Sequence, residues 1–302
     1  MTRPGVSTLL AASMLTTLAV ASTPGWTQTR SDTIPDVVRD ASADSRAGLE
    51  RWEFTLEGRI GAPLGWLRVG EFSPAGGTAG AAPGTRLRLS GAGIHVSETI
   101  EAGAAFHFTP RDAVRASFLN SFLRGGTTHD TSVVYNGEEF LPGHLHTNAD
   151  FSRLSLAYER ELLRMPAQQL VGSLGLTYVN FNPTLTGHGH SNSEDFYRQE
   201  LPVPIVGLRW DHSLAEPWLV RTAVSGGALP RVDSLRREGG TVYLRQSHAD
   251  GDAGLVYRWS RGIELEVGYH FTYFFQHEKS REDDNFFELI DNGARARLNV
   301  RF

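Results

Sequence analysis

From Trp52 onward, apolar and polar residues alternate with period two, in segments of about ten residues. In the last nine residues Ala294, Ala296, Leu298, Val300 and Phe302 fall on one face, and Arg295, Arg297, Asn299 and Arg301 on the other. Upstream, Ile263, Leu265, Val267, Tyr269, Phe271, Tyr273 and Phe275 form a similar row against Glu264, Glu266, Gly268, His270, Thr272 and Gln276, with Phe274 breaking the pattern. Trp52, Phe54, Leu56 and Ile60 likewise oppose Glu53, Thr55, Glu57 and Arg59. Nine segments carry this signal: 100–109, 112–124, 145–160, 168–182, 200–213, 216–229, 240–259, 262–278 and 287–302; 52–60 makes a tenth. Two weaker stretches, 63–72 and 85–94, are flanked by Gly and Pro. The pattern predicts an all-β transmembrane antiparallel up-and-down β-barrel of about 12 strands, with 10 or 8 as alternatives. Residues 131–140 read as a hairpin within a loop above the membrane.

A soluble sandwich also alternates, so connection lengths matter. Short turns at 110–111, 162–167, 213–217 and 260–262 alternate with long polar connections at 125–144, 183–199, 230–240 and 279–286. Outer-membrane barrels show this asymmetry, with short turns inside and long loops outside. Phe108, Tyr158, Trp210, Trp218 and Trp259 lie beside the short turns, and the chain ends add Trp52 and Phe302. Aromatic rings gather at membrane interfaces because an apolar ring body can carry a wet edge. Tyr178, Tyr273 and Phe275 furnish an opposite girdle, and Trp66 fits neither.

The first 49 residues differ. Arg3 precedes an apolar run from Leu9 to Ala21, followed by Ser22, Thr23 and Pro24, the order of a secretory signal peptide. The expected organisation is a signal peptide at 1–21, cleaved between 21 and 28, a polar leader at 22–49 and a barrel at 50–302. The absence of cysteine among 302 residues excludes disulfides, thiolate metal sites and cysteine nucleophiles. A net charge of −5 argues against a nucleic-acid partner. Of 29 basic residues only Lys279 is lysine, which favours guanidinium networks.

The signal segment, the amphipathic strands and the ending ARARLNVRF together resemble an outer-membrane β-barrel protein of a double-membraned bacterium. The resemblance covers roughly 50–302 and implies outer-membrane lipid as surroundings. It also implies that the barrel-assembly machinery reads the C-terminal Phe302. It assigns no activity.

With apolar rows facing lipid, the alternate rows line a lumen. The expected charged lining is Glu53, Glu57, Arg59, Arg115, Arg153, Glu159, Arg209, Asp211, Arg221, Arg258, Glu264, Glu266, Arg295, Arg297 and Arg301, nine arginines against six acids. Two roles follow: a salt-bridge network plugging a narrow lumen, or a small pore or ligand cavity biased toward anions. Antiparallel pairing is expected to set Glu264 and Glu266 beside Arg301, Asn299 or Arg297 near the periplasmic rim, and closure to bring Glu53 and Glu57 to the other side of the last strand. Catalytic, metal and cofactor sites are expected to be absent. His144 with His146, and His188 with His190, put two imidazoles on one face if extended, yet they have no third ligand fixed by spacing. The acidic run Glu282, Asp283, Asp284 with Glu288 and Asp291 reads as solvated loop. His190 and Ser191 distantly resemble elements of outer-membrane phospholipases and lipid A deacylases, so a lipid hydrolase is one alternative. A soluble periplasmic β protein is another.

Overall fold

A computed structural model describes residues 51–71, 84–193, 202–233, 243–280 and 283–302. The expected signal peptide and leader, Glu282 and parts of three long loops lie outside the described residues. The strands are β1 (Trp52–Gly61), β2 (Leu64–Arg68), β3 (Leu87–Arg88), β4 (Ser97–His107), β5 (Asp112–Phe122), β6 (Arg124–His129), β7 (Val133–Tyr135), β8 (Glu138–Phe140) and β9 (Gly143–Asn148). They continue as β10 (Phe151–Met165), β11 (Gln168–Phe181), β12 (Thr184–Gly187), β13 (His190–Ser193), β14 (Val203–Ala215), β15 (Trp218–Asp233), β16 (Tyr243–Ser260), β17 (Ile263–Lys279) and β18 (Asp284–Arg301).

Ten strands, in the order β1-β4-β5-β10-β11-β14-β15-β16-β17-β18, form an antiparallel sheet that the β1–β18 pairing closes into a barrel. Closure leaves no open edge, which a sheet in lipid requires. The two weak stretches correspond to β2 and β3, which bring the sheet to twelve strands without entering the closed ring. After Gly61 pairs with Gly293, the chain rejoins the outer part of the same neighbour, Leu64 opposite Ile290 and Arg68 opposite Phe286.

Outward positions hold Trp52, Phe54, Leu56, Leu154, Leu156, Leu174, Val206, Leu265 and Val267, all exposed, while Glu53, Glu57, Glu266 and Arg295 are buried. Exposed aliphatic rows around a charged interior invert a soluble fold and mark a lipid-contacting wall. The protein is an outer-membrane β-barrel. At the short-turn rim Trp52 packs on Phe106, Phe54 on the terminal Phe302, Phe108 on Tyr158 and Trp218 on Tyr257, at centroid distances of 5.0, 5.3, 6.3 and 4.8 Å.

The opposite end carries a cap. β13-β12-β9-β6 form a four-stranded sheet, and β7 and β8 a hairpin, the one the sequence predicts within 131–140. Its turn is Asn136-Gly137, both with positive φ, the conformation a two-residue hairpin turn needs. The hairpin is anchored by Tyr135, which donates to the Pro183 carbonyl at 2.7 Å, and by Asn136 Nδ2, which donates to Asn192 Oδ1 at 2.9 Å.

Candidate functional site

On several strands the inward row changes chemistry partway along. On β18 it runs from Phe287 and Leu289, through Asp291, to Arg295, Arg297, Asn299 and Arg301. On β5 it runs from Arg115 and Ser117 to Leu119, and on β17 from Glu264 and Glu266 to Phe274. The two chemistries divide the barrel interior into two zones, one toward the chain termini and one beneath the cap.

Near the termini, the ladder sets Glu53 opposite Arg301 and Glu57 opposite Arg297 across the β1–β18 seam, with Glu264 opposite Asn299 and Glu266 opposite Arg297 on the other side. Arg295 is fully buried. It donates to Glu57 at 3.0 Å and to Glu266, and approaches Asp252 at 3.5 Å. Glu57 also accepts from Arg59 and Arg297, so one carboxylate gathers three guanidiniums. Arg221 holds Asp211 through two bonds of 2.9 and 3.0 Å and reaches Glu264 at 3.0 Å and Glu266 at 3.3 Å. Along the wall formed by β1, β4, β5 and β10, Arg115 bridges Glu53 and Glu159, at 2.7 Å each. Forked guanidinium geometry suits such multidentate pairing.

Arg153 pairs instead with Asp250 at 2.9 Å, and Arg59 with Glu101 at 2.7 Å. Arg258 sits half-exposed at the rim, 3.5 Å from Glu264. Arg209 approaches Glu159 only to 3.8 Å, and its Nε has no hydrogen-bond partner among the described residues.

Sequence reasoning missed Glu101, Asp250, Asp252 and Asp291. Asp250 binds Arg153 and Thr272, and Asp291 accepts from Ser97 at 2.7 and 2.8 Å. These four join the six expected acids, making ten against the nine arginines. The expected positive lining is therefore corrected to a near-balanced one. For Glu101, Asp250 and Asp252 the signal lay in the faces of β4 and β16, whose outward residues beside them, Ala102, Ala104, Ala249, Gly251 and Ala253, are too small to reveal the phase of the alternation.

Two overlapping hollows of about 180 and 200 Å³ lie in this zone, sharing Glu101, Arg115, Ser117, Glu159, Ser173, Ser225 and Asp250. The first also takes in Arg209. Side-chain exposure along β18 rises toward the chain terminus, from 0% at Arg295 to 19% at Arg297 and 34% at Arg301, so water enters from the short-turn side.

Beneath the cap the interior carries an aromatic layer, flanked by the buried polar side chains Gln246, His248, Gln276 and Asn285. Phe151 on β10 stacks on Phe274 on β17 at 5.6 Å, Phe274 meets Phe287 on β18 at 5.7 Å, and Phe287 meets Phe181 on β11 at 4.3 Å. These four rings span the lumen from one wall to the other. Leu119, Val179 and Leu289 fill around them, and Leu67, Leu89, Ile94, Tyr135, Phe140, Leu145 and Leu185 close the stack from above. Phe274, the outlier in its strand's alternation, belongs to this layer.

The other candidates disperse. His144 and His146 share an exposed face of β9 with rings 4.6 Å apart. His188 sits in the β12–β13 turn at positive φ and bonds to the Leu141 carbonyl at 3.0 Å, so it does not share a face with His190. His190 contacts Glu138 at 3.0 Å, whereas Ser191 bonds Thr186 at 2.8 Å; the two do not form a nucleophile–base pair here. Among the described residues no group of three or more metal-ligating side chains assembles. Asp284 engages Arg68 and His277 on the outer wall, and Asp291 lies inside the lumen, which separates the members of the acidic run.

No family model and no curated protein matches this sequence. Among solved structures, it resembles the outer membrane protease OmpT from Escherichia coli at 11% identity and a TM-score of 0.46, covering 83% of this chain and 97% of that one. The translocator domain of the autotransporter NalP from Neisseria meningitidis gives 12% identity and a TM-score of 0.42, covering 87% and 93%. A Pseudomonas aeruginosa FadL homologue gives 9% and 0.36, covering 85% and 91%.

Proposed function

We propose that this chain is a non-enzymatic, closed outer-membrane barrel that binds a small polar solute bearing an anionic group, entering from the periplasmic side. The observation that carries this reading is the aromatic span Phe151–Phe274–Phe287–Phe181 above a wet, charged hollow. An apolar layer of side chains denies ions a hydrated route, while the hollow below keeps water and hydrogen-bonding groups. Arg209 supplies an under-used guanidinium on its wall, and Ser117, Ser173 and Ser225 supply hydroxyls nearby. A carboxylate or phosphate on Arg209 would complete its donors, and charge-assisted bonds of that kind are the stronger ones. The balanced lining gives no basis for anion-selective conduction, so the binder is favoured over the pore.

Two measurements test this. In planar bilayers the wild-type protein is expected to show no steady conductance; sustained ohmic channels would overturn the closed barrel. Titration of the detergent-solubilised protein with a panel of short carboxylates, amino acids and inorganic phosphate is expected to find a binder. Arg209→Gln should weaken that binder about tenfold, corresponding to the loss of one charge-assisted contact. Failure of every panel member, or unchanged affinity in the variant, would remove the solute site.

A further inference from the structure

The outward face of β15 to β18, β2 and β3, level with the cap, carries a belt of arginines laid on aromatic rings. Arg86 lies 4.3 Å from the centroid of Trp66 and 5.3 Å from that of Phe286, and Arg88 lies 4.6 Å from Trp66. Arg245 lies 5.4 Å from Phe275 and Arg231 3.7 Å from Tyr243. The ladder puts these groups on two adjacent outward rungs: Arg245 opposite His277, His277 opposite Phe286 and Phe286 opposite Arg68 on the upper one, and Phe275 opposite Glu288, Glu288 opposite Trp66 and Trp66 opposite Arg88 on the next. A bulge between Leu229 and Val232 adds one residue and brings Arg231 to the same level.

Below the Glu288 rung the outward residues turn apolar, with Tyr273 opposite Ile290 and Ile290 opposite Leu64. The belt therefore marks the outer boundary of the lipid-contacting wall. Among the described side chains this surface carries the cations Arg68, Arg86, Arg88, Arg231, Arg245 and Lys279 with the acids Asp284 and Glu288. Asp284 is engaged by Arg68 at 2.8 Å and by Lys279 at 3.9 Å. Arg86, Arg88, Arg231 and Arg245 have no carboxylate partner among the described residues. Stacking on a ring fixes a guanidinium plane while leaving its N–H edge free, and that edge matches a phosphate bidentately.

We infer that this belt binds a phosphorylated glycolipid of the outer leaflet. The lipid's phosphates would sit on the arginine edges, and its acyl chains would run down the apolar wall beneath. The aromatic rings hold the guanidiniums at headgroup depth, where amphipathic rings themselves prefer to lie. This also accounts for Trp66, the tryptophan of the barrel region that stands apart from the short-turn rim.

The test uses the folded barrel in detergent, offered bisphosphorylated lipid A or the same lipid stripped of phosphate, with retained lipid counted by native mass spectrometry. The wild type is expected to retain the phosphorylated form at least about tenfold better. R86Q/R88Q/R245Q should abolish most of that preference, R111Q at the opposite rim should preserve it, and Lys at the three positions should restore part of it. Heat-dependent gel migration verifies folding. Should the triple variant fail to fold, R86Q and R245Q singly carry the test, each expected to lose about threefold. Equal retention of both lipids, wild-type behaviour of the variants, an equal loss in R111Q, or displacement by free inorganic phosphate at matching concentration would each overturn the inference.

Discussion

The two ends of the lumen solve one problem with opposite chemistry. Toward the termini, inward positions hold Glu57, Glu266, Arg221 and Arg295 in a network where carboxylates and guanidiniums each serve several partners. Beneath the cap, the same inward rows hold Phe151, Phe181, Phe274 and Phe287, packed as a soluble core would be. The charged zone is specified by hydrogen-bond geometry and fails when a partner is left alone. The apolar zone is specified by volume and fails when a cavity opens. Lipid dictates the outward face of a barrel wall and backbone pairing leaves the inward face undetermined, so the lumen can be filled either way. Here the filling changes where the strands leave the wet hollow and meet the cap.

The comparison breaks most sharply at Arg295. Arg295→Met takes from Glu57 and Glu266 the buried guanidinium they share, leaving them Arg59, Arg297 and Arg221, and the unfolding free energy in detergent is expected to fall by about 3 kcal/mol. Adding Glu266→Gln, which restores the charge balance of the cluster, should recover part of that loss, because the penalty belongs to uncompensated charge and not to missing volume. A double variant as unstable as the single one would show that packing governs this zone too.

The apolar zone should respond differently. Leu289→Ala removes volume from a layer closed by Phe287 and Leu119, with an expected cost of about 2 to 3 kcal/mol. The lower part of the range applies because a small pocket of about 10 Å³, lined by Leu289, Arg59 and Asp291, already adjoins the site and admits relaxation. Urea unfolding checks the value. No compensating charge change elsewhere should rescue it, in contrast to Arg295.

The charged zone was largely readable in the sequence, and the apolar zone was not. On β1, β17 and β18 large apolar outward residues, such as Phe54, Leu56, Leu265 and Val267, give strong contrast, so the inward phase and its Glu and Arg positions follow directly. On β4 and β16 the outward residues beside these acids, Ala102, Ala249, Gly251 and Ala253, are small; contrast fades there, and Glu101, Asp250 and Asp252 went unassigned. The lid was hidden for another reason. Its residues are inward Phe and Leu in rows otherwise polar, and they look like breaks in a pattern until a cap exists to pack on them. Phe274 is the clearest case: an outlier by period, and central once Phe151 and Phe287 are seen beside it.

The smallest expected effect separates the cap from the wall beneath it. Gly137 closes the β7–β8 turn at a φ of 71°, and a Cβ there would lie 2.6 Å from the Glu71 carboxylate oxygen. That side chain can swing away, so the cost of Gly137→Ala is the backbone strain of a left-handed alanine, about 1 kcal/mol. Because Val133, Tyr135 and Phe140 contribute only the top of the apolar layer, the loss should appear as faster amide exchange in β7 and β8. The heat-dependent gel shift, which reports the ten closed strands, should stay where it is. If the gel shift moved together with hairpin exchange, cap and barrel would unfold as one unit, and the apolar layer would count as part of the barrel's own core.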